Sequence, residues 1–323
     1  MAVEVAEARP HLTWRKKLGY SLLVCFVTLL SLEVAVRIGM WALHLPHLYE
    51  ADPELGYTLR PNLDVARRTQ DKGNIRIRTD GEGNRIVPEG TAGPVQGTIL
   101  LLGDSFAFGE GVDEQVTVAA SLAAAGWKVV NLGVCGYGTN QELLRFRRYA
   151  AQHAGEFQWV IVLVYTNDEE DVRSSYKFAR TRPTASWDGQ QLTLRPFHLP
   201  WTDRLTDLSA LYWLGRHLIW NRPIIEPGTG HAAVAACLAA VEKEAKAVGA
   251  KALLVMQDGQ KPELASPFVS AAQEQGIVLH DLSPVLNRHL KAGEKLLIAD
   301  GVHWNAAGSR LVARELLQML AAH

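Results

Sequence analysis

A serine, a histidine and an aspartate stand in this 323-residue chain where they could carry out acyl transfer. Ser105 lies in Gly103-Asp104-Ser105-Phe106, directly after an apolar run. His303 lies in Asp300-Gly-Val-His303-Trp304-Asn305, three residues after Asp300. A hydroxyl is a weak nucleophile and needs a base beside it. The base needs a third group that fixes its tautomer and stabilises its cationic form. Ser105 would attack, His303 would take its proton, and Asp300 would hold the other ring nitrogen. The tetrahedral intermediate needs preorganised donors for its oxyanion. These would be the backbone N–H groups of Ser105 and Gly136 and the side-chain amide of Asn167. Tyr137 and Trp304 flank these residues and are candidate substrate-binding walls.

The elements that must position these residues follow from the rhythm after Thr98. Apolar runs of strand length recur at Thr98–Leu102, Lys128–Leu132, Trp159–Tyr165, Lys251–Met256 and Ile277–His280. Helical stretches fall at Val116–Ala125, Gln141–His153, His231–Val248, Pro267–Gln275 and Asn305–Ala322, with Asn305 as an N-cap. Near-continuous apolar strands alternating with helices predict a parallel sheet covered on both faces. Ligands of such sheets bind beyond the carboxyl ends of the strands. Ser105 follows the first run, the glycine-rich Gly133–Gly138 turn the second, and Asn167 the third. A long interruption, about 168–230, is read as a lid or substrate wall with a helix at Ser209–Trp220. Within it, Asp168–Asp171 reads as a solvated acidic loop with Asp168 bracing the Asn167 turn. Trp187 and Trp201 read as packing residues.

Gly103-Asp104-Ser105-Phe106, Asn131-Leu-Gly-Val-Cys-Gly136, Thr166-Asn167-Asp168 and Asp300-Gly-Val-His303 resemble, in order, four sequence blocks of the SGNH (GDSL-type) hydrolases. The resemblance runs from about Thr98 to the end of the chain. It departs at Tyr165, where the family pattern carries a glycine two residues before the asparagine. It implies a flavodoxin-like three-layer α/β/α fold and a serine esterase that needs no cofactor and no metal. The N-terminal region resembles membrane-tethered bacterial members, some of which act on acetylated surface polysaccharides or take part in acetylating them.

That N-terminal region carries Arg15, Lys16 and Lys17 ahead of an apolar run from about Leu18 to Leu45. About 20 apolar residues suffice to span a bilayer as a helix. Glu33 and Arg37 interrupt the run but lie four apart and can pair. The reading is an uncleaved signal anchor, with the basic end in the cytoplasm and the bulk of the chain outside it, periplasmic in a Gram-negative cell. The expected organisation is a cytoplasmic end (1–17), an anchor (18–45), a β-rich preface (46–97) with a short strand at Asn74–Arg78, and a hydrolase domain (98–323). With 33 basic and 34 acidic residues and no basic face, the chain lacks the footprint of a nucleic-acid partner. Cys25, Cys135 and Cys237 lack metal-site spacing. A Cys135–Cys237 disulfide is open to the sequence, but small buried hydrophobes are the preferred reading. His44 and His47 read as interfacial residues.

The leading expectation is therefore an extracytoplasmic esterase removing a short acyl group, acetyl foremost, from a carbohydrate or similar alcohol. Three alternatives stand beside it. One is an O-acyltransferase using the same residues with a membrane-bound acyl-donor partner. Another is a silent binding or assembly module of an envelope polysaccharide system. The last is a lipase or thioesterase.

Overall fold

The computed structural model describes residues 13–322 apart from 70, 72, 91–93 and 221. The expected cytoplasmic end lies largely outside the described residues. At the centre is a five-stranded sheet, its strands numbered in chain order: β1 (Thr98–Gly103), β2 (Lys128–Asn131), β3 (Trp159–Val164), β4 (Lys251–Met256) and β5 (Leu279–Asp281). All pairings are parallel, in the order β5-β4-β3-β1-β2. The chain leaves β1 for β2 on one side and returns to place β3 on the other. The direction of winding thus reverses between β1 and β3, which opens a crevice at their carboxyl ends.

Every residue of β3, Trp-Val-Ile-Val-Leu-Val, is buried, as a central strand covered on both faces requires. Leu100, Leu102, Val160 and Val162 pack on one face with Leu143 and Phe146 of helix Thr139–His153 and Leu238 of helix Gly230–Ala247. Ile99, Leu101, Ile161 and Leu163 pack on the other with Leu122 of helix Val118–Ala124 and Leu316 of helix Ala306–Ala322. This is the three-layer α/β/α fold expected. Asn305 does cap the last helix, its Oδ1 accepting from the N–H groups of Ala307 (2.8 Å) and Gly308 (3.1 Å). The fifth strand starts later than its apolar residues suggest: Ile277 is buried ahead of it, while Val278 is 68% exposed. The sequence reading also missed helix Ser283–Lys291, which opens on Pro284.

Between the N-terminal helix and β1 lie two antiparallel hairpins, Tyr49–Asp52 with Gly56–Leu59 and Asp64–Thr69 with Gly73–Arg78. Their apolar sides (Leu55, Tyr57, Ile77) form a third core with Phe108, Val134 and Tyr137 from the loops that follow β1 and β2. The hairpins thus bear on the loops of the site itself. The insertion between β3 and β4 holds the one-turn helix Asp168–Asp171, short hairpins and two longer helices, Trp201–Leu208 and Ala210–Ile219. Ser209 separates the two helices and caps the second, its side chain accepting from Tyr212 N–H.

The N-terminal helix runs Trp14–Ala42 with no buried residue, and among the described residues it alone is long and apolar enough to cross a membrane. Glu33 and Arg37 pair on it at 2.6 Å. Cys135 and Cys237 are both buried free thiols in different cores, so the disulfide does not form.

Candidate active site

The turn from β1 into the short helix Ser105–Phe108 sets the serine. Gly103 has φ +146°, and a Cβ there would collide with Ala107 and Leu163. Asp104 caps the helix by accepting from Phe106 N–H at 3.0 Å. Beyond the helix, Arg85 is buried and donates to the carbonyls of Phe108 (2.6 Å), Gly109 (2.6 Å) and Val112 (2.8 Å). One guanidinium thereby satisfies the last carbonyls of the turn that carries Ser105. Its burial lowers the Arg85 pKa to about 10, leaving it charged at neutral pH.

The histidine and aspartate share the loop ahead of the last helix. His303 Nε2 lies 2.8 Å from Ser105 Oγ, and His303 Nδ1 lies 2.6 Å from Asp300 Oδ2. With the ring proton on Nδ1, Nε2 accepts the serine hydroxyl. Asp300 Oδ1 accepts from the N–H groups of Val302 (2.8 Å) and His303 (3.0 Å), which ties the acid and base into one turn. Burial works to raise the Asp300 carboxyl, but the hydrogen bonds from His303 and Val302 outweigh it and hold it below the ordinary carboxylate range. The loop is fastened from outside by Asp71, whose carboxylate accepts from Ala299 N–H, and by Gln260, which donates to the Gly301 carbonyl.

The expected donors also converge here. Gly136 has φ +75°, a conformation glycine adopts without strain, and an added Cβ would run into the Phe178 ring. Among the described residues neither Ser105 N–H nor Gly136 N–H donates to another protein group. Asn167 differs: its amide nitrogen already donates to Asp104 (3.1 Å) and Asp171 (2.7 Å), and its carbonyl oxygen is buried without a partner. Asp168 braces this turn as expected, accepting from Tyr165 N–H at 3.0 Å. The expectation of a solvated acidic run does not hold, because Asp168 and Asp171 are buried. With Asp104 and Glu142 they form an acidic cluster beneath the site. Burial and the neighbouring carboxylates push Glu142 and Asp168 well above the ordinary carboxylate range.

Ser105 and His303 open into a cleft of about 580 Å³. Its walls include Tyr49, Phe178 and Trp213, the Arg67–Glu110 ion pair, and Lys177, which pairs with Asp171. His47 also lines it. Burial, then Arg60 and Arg180, lower the His47 pKa to about 4, so this ring is neutral. Tyr137 and Trp304 do not line the cleft. Tyr137 is fully buried and donates to the Tyr57 carbonyl, and Trp304 is buried with its indole N–H on Gln257. Trp187 packs against the core and Trp201 is exposed away from the cleft. No group of acidic, histidine or cysteine side chains among the described residues could hold a metal ion.

Sequence reasoning did not find Arg85, Arg182, Phe178 or the hairpin residues of the cleft wall. Arg182 and Phe178 lie in the insertion, where nothing in residue type or spacing announced them.

A doubly wound sheet with a serine, imidazole and carboxylate in line at its carboxyl edge is an arrangement of nucleophilic hydrolases. The chain belongs to the GDSL-like lipase/acylhydrolase family, whose model matches residues 101–311, and it is an ester hydrolase. Solved structures similar to it include an acetyl xylan esterase, AlAXEase (14% identity, 69% of this chain and 98% of that one, TM-score 0.42). Others are the psychrotrophic esterase EstA from Pseudoalteromonas sp. (15%, 70% and 97%, 0.39) and the acetylxylan esterase Axe2 from Geobacillus stearothermophilus (18%, 70% and 94%, 0.37). No curated protein matches the chain in sequence.

Proposed function

We propose that the protein is a membrane-anchored serine esterase that removes a short acyl group, acetyl foremost, from a carbohydrate or related alcohol outside the cytoplasm. The observation that carries this reading is the line Asp300–His303–Ser105, closed at 2.6 and 2.8 Å. Ser105 Oγ bonds to the ester carbonyl carbon as its proton passes to His303 Nε2, and Asp300 stabilises the imidazolium. The carbonyl oxygen, now anionic, takes the N–H groups of Ser105 and Gly136. Asn167 joins them by releasing Asp104, the longer of its two hydrogen bonds. Collapse breaks the ester C–O bond, and the leaving alcohol takes the proton from His303. Water then gives a proton to His303 as its oxygen attacks the acyl carbon, and collapse breaks the Ser105 Oγ–acyl bond, returns that proton to Ser105 Oγ and frees the acid.

The cleft favours an alcohol with both apolar and polar edges. Aromatic rings (Tyr49, Phe178, Trp213) stand beside fixed charges (Arg67, Glu110, Lys177), a combination that suits a sugar ring. The test is p-nitrophenyl acetate hydrolysis by the full chain in detergent micelles, with Ser105→Ala alongside. Turnover that the variant loses by about a thousandfold or more supports the reading. A folded parent no faster than the variant ends it.

A further inference from the structure

Building on the reading of the N-terminal helix as a membrane span, we propose that the insertion helices Trp201–Leu208 and Ala210–Ile219 sit in the outer leaflet. There they turn the catalytic cleft toward the lipid, so that the ester it takes is carried by a membrane-resident amphiphile.

At 1.5 Å per residue the helix rises only about 22 Å from Leu18 to Glu33, against a hydrocarbon layer of about 30 Å. A span that starts behind Arg15, Lys16 and Lys17 therefore holds Glu33 inside the apolar layer. Glu33 there needs partners, and the insertion supplies them. Its carboxylate accepts from Ser209 Oγ (2.7 Å), Ala210 N–H (2.9 Å) and Leu211 N–H (3.0 Å), besides Arg37. Arg37 in turn donates to the Leu208 carbonyl at 2.7 Å. The Leu208–Leu211 turn is thus clamped at the depth of Glu33.

The surface agrees with that depth. Leu208, Leu218, Ile219 and Trp220 are 70, 77, 67 and 59% exposed. These large apolar side chains cluster at the two ends of the clamped helix, and continuity with the span makes the bilayer their partner. The other side of the same helix faces the catalytic cleft through Trp213 and His217.

A second cavity adjoins the catalytic cleft. It has a volume of about 640 Å³ and runs along Arg37, Met40 and Trp41 of the N-terminal helix. It shares Leu45, Pro46, His47 and Trp213 with the catalytic cleft, so only that short segment and one indole separate the flank of the span from the pocket of Ser105. An amphiphile can leave its apolar end along the span while its acylated head reaches the serine.

The test uses the full chain in phospholipid nanodiscs whose acyl chains carry nitroxide quenchers. A thiol-reactive fluorophore is placed on Leu208→Cys or Leu218→Cys in a Cys25→Ser background, with native Cys25 and Val278→Cys labelled separately for comparison. Cys237 is buried in the core, and Cys135, which lines the cleft, is changed to Ala in every variant. The proposal expects about twofold or greater quenching at positions 25, 208 and 218 and none at 278. Quenching at 25 with positions 208 and 218 behaving like 278 overturns the proposal while leaving the span intact. No quenching at 25 overturns the span itself and the proposal with it. For the substrate, Leu208→Glu combined with Leu218→Glu should slow acetate release from hexadecyl acetate dissolved in the nanodisc by about tenfold and leave soluble p-nitrophenyl acetate within about twofold. Equal effects on both esters, or no effect on either, overturn the claim of delivery from the lipid. The quenching pattern is read without turnover, so it stands apart from whether Ser105 is an esterase nucleophile.

Discussion

Arg182 donates to the carbonyl oxygen of Gly136 at 2.6 Å, from a side chain fully out of solvent. Its other terminal nitrogen holds the Asp171 carbonyl at the same distance. The guanidinium fixes the residue proposed to supply an oxyanion donor, and the aim of its N–H depends on the insertion that carries Arg182. Arg182→Met should lower kcat by about tenfold to a hundredfold with KM little changed, as loss of a transition-state donor does. Arg182→Lys, which reaches one carbonyl at a time, should recover part of the loss. A rise in KM alone would assign Arg182 to substrate binding instead.

In the proposed mechanism Asp300 orients the imidazole and does not itself react with the ester. Asp300→Asn should cut kcat by about a hundredfold or more while leaving the melting temperature close to that of the parent. A variant with unchanged kcat would show that the two N–H groups bound by Asp300 matter only to the loop.

Glu142 gives the stability curve a direction. Its carboxyl oxygens are buried without partners among the described residues, and its pKa is raised by burial and by Asp168, Asp104 and Asp171. The folded state therefore holds a proton that the unfolded state releases once the pH passes the ordinary value. The stability this confers is complete below that value and is lost as pH rises toward the raised one. Thermal melts of the parent should fall in that window, and Glu142→Gln, which mimics the protonated form, should flatten the fall. An identical slope in both proteins would rule out Glu142 as the titrating group.

Arg85 is a test of stability more than of chemistry. Arg85→Met strands three buried carbonyls and should cost about 3 kcal/mol or more in denaturant unfolding. A loss under about 1 kcal/mol would mean that water replaces the guanidinium.

Phe178 lines the cleft against Gly136, the expected oxyanion residue, so its ring is expected to bound the acyl group. It packs on Gly136 with φ +53°, followed by Ala179 at +59°. Phe178→Ala should raise kcat/KM for butyrate and hexanoate esters relative to acetate, measured with p-nitrophenyl esters. An unchanged chain-length preference would place the acyl group elsewhere.

The sheet was legible because its strands are continuous apolar runs, and a fully buried strand such as β3 has no other sequence form. Ser105 was singled out because it follows a strand, and His303 and Asp300 because they stand three apart just ahead of the last helix; the fold brings the three side chains together. Position along the chain does not say which way a side chain points, and there the reading failed. Tyr137 and Trp304 are neighbours of site residues in sequence, yet both turn inward, where a phenol or indole N–H can find a buried acceptor. Asp168 and Asp171 looked like a solvated run because acids usually are. Only the fold reveals that Lys177 and Arg182, several residues further on, come back to accompany them. Arg85 was hidden for the same reason, since its three acceptors lie more than twenty residues away.

The base lies 198 residues after the serine it activates. During synthesis Ser105, Gly136 and Asn167 emerge long before His303, and the N-terminal helix emerges before them all. A chain cut short before Asp300 would keep Ser105, Gly136 and Asn167 but lack both side chains that line up with the serine, so the site is complete only once the loop ahead of the last helix is made.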